Sequence, residues 1–174
     1  MHPLEVEEAL KHMMILVDTR EQDTKLFRER MKQTGYSYQR KKLDSGDYSC
    51  SCILPNGKTL DLSNRVVIER KMSLDEISQN FTKGRSRFIK EFERLKEKGG
   101  KPYLLIENAS WEDVLRWNYH SQFHPNALFA SLTAWCARYD ANILFCHSSV
   151  SGKLIGEILY RELKERLEGV LSEY

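Results

Sequence analysis

The run Val66-Val67-Ile68-Glu69-Arg70-Lys71 constrains the fold more than any other segment of this sequence. Three consecutive β-branched residues predict a buried strand, and charged residues at the end of a buried strand need a reason to be there. Side chains two positions apart share one face of a strand, so Glu69 and Lys71 point together while Arg70 points away. The segment therefore predicts an internal strand that places an acid beside a base.

Short apolar runs of this kind recur along the chain and alternate with segments of helical periodicity. Strands are predicted at 13–17, 36–43, 48–54, 59–62, 66–71, 102–107 and 142–146. Helices are predicted at 4–12, 24–33, 73–77, 86–98, 111–117, 125–139 and 152–174. Because strands that alternate with helices build layered folds, the pattern predicts an α/β architecture with helices on both faces of a sheet.

Length and composition indicate one folded, soluble domain. The chain has 174 residues, of which 41% are hydrophobic and 30% charged, and about one domain is usual for this length. No stretch reaches the roughly 18 apolar residues that a membrane-spanning helix needs. The amino terminus is acidic and does not resemble a leader peptide, so we expect a cytoplasmic protein, or a nuclear one in a eukaryote.

The net charge of +2 predicts no partner, but its distribution is uneven. Between Lys83 and Lys101 the sequence has eight lysines and arginines against three glutamates. Such an excess suits contact with phosphates, and it is also typical of a solvated helix face. The sequence pattern alone leaves both interpretations open.

A second carboxylate is expected close to the Glu69-Arg70-Lys71 triplet. Asp44-Ser45-Gly46-Asp47 reads as a turn that projects Asp47 just before a neighbouring strand. Carboxylates are hard oxygen ligands for Mg²⁺, and a protonated lysine nearby can hold a water without competing for the ion. An E-x-K triplet also occurs on exposed edge strands, but here it ends an apolar run.

These segments together resemble a known family. Gly46-Asp47, followed by Val66-x-x-Glu69-Arg70-Lys71-x-x-x-Asp75, is similar to the motif of the XPF/Mus81/Hef nuclease domains, the ERCC4-type branch of the PD-(D/E)XK nucleases. Further matching segments are Val17-Asp18-Thr19-Arg20-Glu21, Lys83-Gly84-Arg85-Ser86-Arg87-Phe88, Glu93-Arg94-Leu95 and Tyr103-Leu104-Leu105-Ile106-Glu107. The resemblance covers about residues 13–150 and implies a restriction-endonuclease-like central mixed β-sheet flanked by helices.

The resemblance implies a role for each matching residue. Asp47 and Glu69 match metal-binding carboxylates, the main-chain carbonyl of Arg70 is a further expected ligand, and Lys71 matches the catalytic lysine. Mg²⁺ is the expected ion, and Mn²⁺ is expected to substitute for it. Supporting catalytic positions are Asp18, Arg70 and Asp75, and additional metal ligands are Asp18 and Glu21. Expected DNA contacts are Arg20, Lys83, Arg85, Arg87 and Arg94, with Arg85 as the foremost phosphate contact.

The resemblance also implies an activity, the Mg²⁺-dependent endonucleolytic hydrolysis of DNA. Its suggested substrates are branched, flap or fork DNA in repair or recombination. Two features depart from the family pattern: an extra hairpin around Pro55-Asn56-Gly57, and no tandem helix-hairpin-helix segment in this sequence. We therefore expect a single nuclease domain over 1–174, with a core at about 13–150 and a final helix at about 152–174.

Other functions and assemblies remain open. One alternative is a catalytically silent module for DNA binding or dimerisation, and another is a restriction-like or junction-resolving nuclease on the same core. A homodimer or a DNA-binding partner subunit is expected from the resemblance. The apolar stripe on the last two helices suits a dimer contact or simple packing on the sheet: Phe129, Leu132, Trp135, Tyr139, Ile155, Leu159 and Leu163.

Overall fold

A seven-stranded sheet forms the centre of the protein, in a computed structural model that describes residues 1–169. Its strands are β1 (Met14–Val17), β2 (Ser37–Arg40), β3 (Tyr48–Ile53), β4 (Thr59–Asp61), β5 (Val66–Lys71), β6 (Lys101–Glu107) and β7 (Asn142–Cys146). The spatial order is β2-β1-β3-β5-β6-β7, and β4 pairs with β3 as the second strand of the extra hairpin.

The sheet is mixed, as the family resemblance implies. β2 runs parallel to β1, and β5, β6 and β7 run parallel to one another. β3 lies antiparallel to β1, β4 and β5. Since β5 has β3 on one side and β6 on the other, the prediction of an internal strand at 66–71 is confirmed.

Helices cover both faces of this sheet, so the α/β prediction is also confirmed. They are α1 (Pro3–Lys11), α2 (Lys25–Thr34), α3 (Leu74–Phe81), α4 (Arg85–Glu97), α5 (Trp111–Leu115), α6 (Pro125–Tyr139) and α7 (Ser151–Leu167). Side chains of α1, α2 and α7 pack with one face of the sheet, and those of α3 to α6 pack with the other. In β6, Leu105 joins the first core, whereas its neighbours Leu104 and Ile106 join the second.

The apolar stripe on α6 and α7 belongs almost entirely to these two cores. Leu132, Trp135, Ile155, Leu159 and Leu163 have no exposed surface, and Tyr139 is almost fully buried. Of the stripe, Phe129 alone keeps partial exposure. A dimer contact through this stripe is therefore wrong, because burial in the two cores, against other helices and the sheet, already covers its apolar surface.

Two glycines let α7 cross α2 at backbone contact. A Cβ on Gly152 would stand 2.3 Å from the carbonyl oxygen of Arg30, and one on Gly156 would stand 2.6 Å from that of Thr34. No larger residue fits either position without moving the backbone. The crossing fixes α2, which carries Arg30 toward the end of the sheet where the charged residues of β5 lie.

Some element boundaries differ from the sequence predictions for local reasons. α3 extends to Phe81 because that side chain packs in the second core, one helical turn beyond Ile77. α5 ends at Leu115, since Trp117 adopts a left-handed backbone with φ of 58°. The final helix ends at Leu167, and its predicted continuation over 170–174 lies outside the described residues.

Within residues 1–169, no helix has both the length and the apolar character needed to cross a bilayer.

Candidate active site

Gly46 makes the turn that brings Asp47 to the edge of β5. Its φ is 73°, and a Cβ there would stand 2.8 Å from the Cβ of Val67, so the turn requires glycine. The Asp47 amide donates to the carbonyl of Ile68 at 2.9 Å, and Asp47 Oδ2 accepts from the Arg70 amide at 2.8 Å. These bonds fix the Asp47 carboxylate next to the charged end of β5.

Asp47, Glu69 and Lys71 line one groove of about 280 Å³. As the strand period predicts, Glu69 and Lys71 share a face, and the Lys71 ammonium donates to Glu69 Oε1 at 2.6 Å. The other residues that line the groove come from the turn after β1, from α3, and from α4 with its N-cap. They are Arg20, Asn80, Gly84, Arg87, Phe88 and Glu91. The structure thus brings together three acids, one lysine and two arginines, and Asp47 and Glu69 are called the acid pair below.

Burial and repulsion dominate the electrostatics of the acid pair. Burial raises the pKa of Asp47 well above its usual range, and the Glu69 carboxylate raises it further. Burial also raises the pKa of Glu69, although the Lys71 ammonium acts in the opposite direction. Burial alone would lower the pKa of Lys71, but Glu69 and Asp47 outweigh it, so this pKa is raised and the ammonium keeps its charge at neutral pH.

The buried carboxylate of Glu69 and the half-buried carboxylate of Asp47 form a donor set that fits a divalent cation. Among residues 1–169, no three histidine, cysteine, aspartate or glutamate side chains come close enough to enclose a metal by themselves. Mg²⁺ is commonly held by one or two carboxylates, with water and phosphate oxygens completing its coordination. Asp47 and Glu69 suit that mode, because a cation between them offsets their repulsion.

Asp18 and Glu21 lie outside this groove, and each already has hydrogen-bond donors. The Asp18 carboxylate accepts from the amide and Nε of Arg20, at 2.8 and 2.6 Å, and from the Leu43 amide at 2.8 Å. Burial would raise the pKa of Asp18, but these bonds outweigh it and lower it. Glu21 Oε2 accepts from the Tyr48 hydroxyl at 2.8 Å. In this structure both acids orient neighbouring side chains.

The Arg70 side chain points away from the groove into a buried ion-pair network. Its Nη1 donates to Glu107 Oε2 at 2.8 Å, while Arg30 Nε lies 3.7 Å from the other oxygen of Glu107. Arg30 also donates to the Tyr48 hydroxyl at 3.1 Å. The network joins β5, β6, β3 and α2 behind the acid pair, so Arg70 supports the site through its amide to Asp47 and through Glu107.

Asp75 also lies apart from the acid pair, where it anchors a loop. Its Oδ1 accepts from the amides of His120 and Ser121 at 2.9 and 2.6 Å, and its Oδ2 contacts the His120 ring. Burial would raise the pKa of Asp75, but the bonds from Ser121 and His120 outweigh it and lower it. With Lys83, these residues line a separate groove of about 700 Å³.

The arginines expected to contact DNA divide into two groups. Arg20 and Arg87 line the groove of the acid pair. The guanidinium of Arg85 instead lies 5.8 Å from the Trp135 ring centre and donates to the Phe81 carbonyl at 3.4 Å. Arg94 donates to the Asp44 carbonyl at 2.9 Å. The geometry therefore favours Arg20 and Arg87 over Arg85 as groove contacts.

Sequence reasoning missed Glu91, which lines the groove and is 8% exposed. A signal for it exists, because Phe88, Phe92 and Leu95 set the apolar face of α4 and Glu91 falls on that face by helical spacing. Asn80 was also missed, and its buried Oδ1 has no hydrogen-bond partner in the described structure. No pattern in the sequence distinguishes Asn80 from an ordinary helix residue.

An α/β domain with two acids and a lysine at the end of a central strand has the arrangement that the sequence resemblance implies. In agreement, residues 17–156 match the family model described as the ERCC4 domain. The chain belongs to the ERCC4 domain family. No curated protein sequence matches it significantly.

Solved structures of nuclease domains share this fold. XPF from Aeropyrum pernix superposes with a TM-score of 0.61 at 19% identity, over 86% of this chain and 60% of that one. XPF from Aeropyrum pernix in complex with DNA gives a TM-score of 0.60 at 21% identity, over 86% of this chain and 64% of that one. The chain thus spans less than two thirds of the length of either structure.

The Glu107 network leads to a stability prediction. Glu107→Ala leaves Arg70 and Arg30 buried without their shared counter-charge, so we expect a loss of about 3–5 kcal/mol in unfolding free energy. Urea denaturation measures it, with Glu7→Ala on exposed α1 surface as the matched control. A loss for Glu107→Ala no greater than that of the control would show that the network contributes nothing to stability.

Proposed function

We propose that this protein is a divalent-metal-dependent DNA endonuclease that hydrolyses phosphodiester bonds. The observation that carries the proposal is the meeting of Asp47, Glu69 and Lys71 in one groove with Arg20 and Arg87 at its rim. Membership of the ERCC4 domain family supports a nuclease. The structure of XPF bound to DNA supports DNA as the polymer.

Each groove residue has a task in phosphodiester hydrolysis. Asp47 and Glu69 would hold Mg²⁺, or Mn²⁺ in its place, with the Arg70 carbonyl as a further ligand. When bound, the ion supplies Lewis-acid stabilisation of the charge that builds on the phosphate and lowers the pKa of a bound water. Lys71 remains an ammonium and orients the attacking water by hydrogen bonding. The two arginines receive the phosphate at the groove rim.

We propose branched, flap or fork DNA as the substrate class, in repair or recombination and in the cytoplasm or nucleus. A restriction-like or junction-resolving enzyme would use the same chemistry on another DNA structure. A catalytically silent binding module is the other alternative. The presence of Asp47, Glu69 and Lys71 in the lining of one groove favours an active enzyme, since a silent module has no need of two carboxylates with raised pKa values beside a lysine. We also propose that the described residues form one nuclease domain.

Removal of the acid pair or the lysine tests the chemistry. We expect Asp47→Asn, Glu69→Gln and Lys71→Ala each to reduce cleavage of labelled fork or flap DNA in Mg²⁺ by about 100-fold or more. A chelator should abolish cleavage by the parent protein, and Mn²⁺ should restore it. Circular dichroism verifies that each variant stays folded.

Lys42→Ala is the control for Lys71→Ala, because it removes a lysine outside the groove. Cleavage by folded Lys71→Ala at the rate of the parent would remove Lys71 from the centre.

Arg85 and Arg87 lie two residues apart on α4, so the effects of their substitutions on DNA binding can be compared directly. We expect Arg87→Ala to weaken DNA binding more than Arg85→Ala, with little dependence on base sequence, because phosphate contacts position DNA without reading it. Affinity measured at two salt concentrations should fall with salt less steeply for Arg87→Ala than for the parent. Equal effects of the two substitutions would contradict the placement of Arg87 at the phosphate.

A homodimer is our proposal for assembly, with a partner subunit as its alternative. β7 is the last strand in the sheet order, and each of its residues is half-buried. Half-buried aromatic rings of Trp111, Phe129 and Phe145 lie in contact beside it. An edge strand flanked by apolar side chains suits pairing with a second copy. Solution mass across a micromolar dilution series should reveal a dimer, and a strict monomer throughout would exclude one.

A further inference from the structure

Glu91 is a buried carboxylate to which the proposed reaction assigns no task. It lies on α4 and is 8% exposed. One of its oxygens, Oε1, accepts from Arg20 Nη1 and from Arg87 Nε, each at 3.3 Å. The side chains of Arg20 and Arg87 are 48% and 73% exposed. A buried acid thus anchors two arginines whose remaining surface faces solvent at the groove.

The same residue is tied to the turn that carries Asp47. The Ser45 hydroxyl donates to the main-chain carbonyl of Glu91 at 2.7 Å, and Ser45 lies two residues before Asp47. Ser45 is also buried. Glu91 therefore has a fixed position relative to the acid pair. The bonds from the two guanidinium groups to its Oε1 fix their positions as well.

A negative charge at this place opposes the binding of a polyanion, so its presence needs a compensating effect. Arg20 does not require Glu91 for a counter-charge, because Asp18 already binds it at 2.6 Å. Arg87, on the helix surface, would otherwise extend freely into water. An arginine side chain loses rotamer entropy when it is immobilised, and a carboxylate that already holds it removes that cost before the substrate binds.

We propose that Glu91 is a positioning residue that holds Arg20 and Arg87 side by side, so that both contact one phosphate group as charge builds on it. This inference rests on the proposed nuclease function. Because both guanidinium groups bond to the same oxygen atom, they are adjacent. Oriented donors of this kind act on the transition state more than on the bound ground state.

Glu91→Gln is the informative variant, because it keeps the shape of the side chain and removes its charge. We expect kcat on fork DNA to fall about tenfold or more, while KM and the Kd for DNA measured in Ca²⁺ stay equal or fall. Glu97→Gln removes the same charge from an exposed position of the same helix, so both kinetic constants should stay close to those of the parent. A higher Kd of Glu91→Gln for DNA, together with a lower midpoint of its unfolding transition, would mean a purely structural role.

A mutant cycle tests whether Glu91 acts through the arginines. In an Arg20→Ala/Arg87→Ala background, Glu91→Gln should no longer lower kcat, because the groups that it positions are gone. The same change in both backgrounds would overturn the proposal. So would a fall in Mn²⁺ affinity for Glu91→Gln measured calorimetrically, since that result would make Glu91 a metal ligand.

The unfolding free energies of these variants separate this inference from the proposed function. If the parent protein cuts no DNA, the nuclease proposal fails, and the coupling of unfolding free energies in the same mutant cycle still decides whether Glu91 holds the two arginines. If the parent cuts DNA and the cycle finds no coupling, the nuclease proposal stands and the Glu91 proposal falls.

Discussion

Asp47 and Glu69 repel each other in a groove where, among residues 1–169, Lys71 supplies the one ammonium group, and the surrounding structure holds them there. The Gly46 turn and the Arg70 amide fix Asp47, while pairing of β5 with β6 fixes Glu69. Folding tends to separate like charges or expose them to water, because buried charge is costly. A divalent cation bound between the carboxylates of Asp47 and Glu69 would offset their repulsion.

The ion pairs behind the groove make this arrangement possible. Arg70 and Arg30 share Glu107 on the opposite face of β5, and Tyr48 connects Arg30 to Glu21. Arg30, Tyr48 and Glu107 are buried, and all five groups are linked by hydrogen bonds or ion pairs, so β5 and α2 keep a fixed relative position at the end of the sheet that carries the acid pair. The glycine contacts of α7 with α2 extend that constraint to the far layer of the fold.

Much of this fold follows from the sequence, because periodicity reports directly on burial. The apolar run before Glu69 predicts the internal strand, and period-two alternation predicts that Lys71 joins Glu69 while Arg70 turns away. The α6 and α7 stripe illustrates the limit. A helical stripe indicates that one face is covered, and only the tertiary structure reveals that the sheet and neighbouring helices cover it.

The positions of single side chains at the site were less predictable, because they too depend on tertiary contacts. Asp75 and Arg85 match the family pattern, yet Asp75 caps a loop and Arg85 lies beside Trp135, because their partners come from α6 and the loop before it. Glu91 looked like one charge in a basic run. Its place on the apolar face of α4 signals burial, but its bond to Arg20 comes from 71 residues away along the chain. Long-range partners of this kind leave no local signature.

Anomalous diffraction from crystals soaked in Mn²⁺ tests the acid pair most directly. The proposed metal site predicts a manganese peak between Asp47 and Glu69, at about 2.0–2.3 Å from one oxygen of each carboxylate. It predicts no such peak in Asp47→Asn crystals. A well-ordered groove that stays empty at millimolar Mn²⁺, or an ion bound only at Asp18, Glu21 or Asp75, would contradict it.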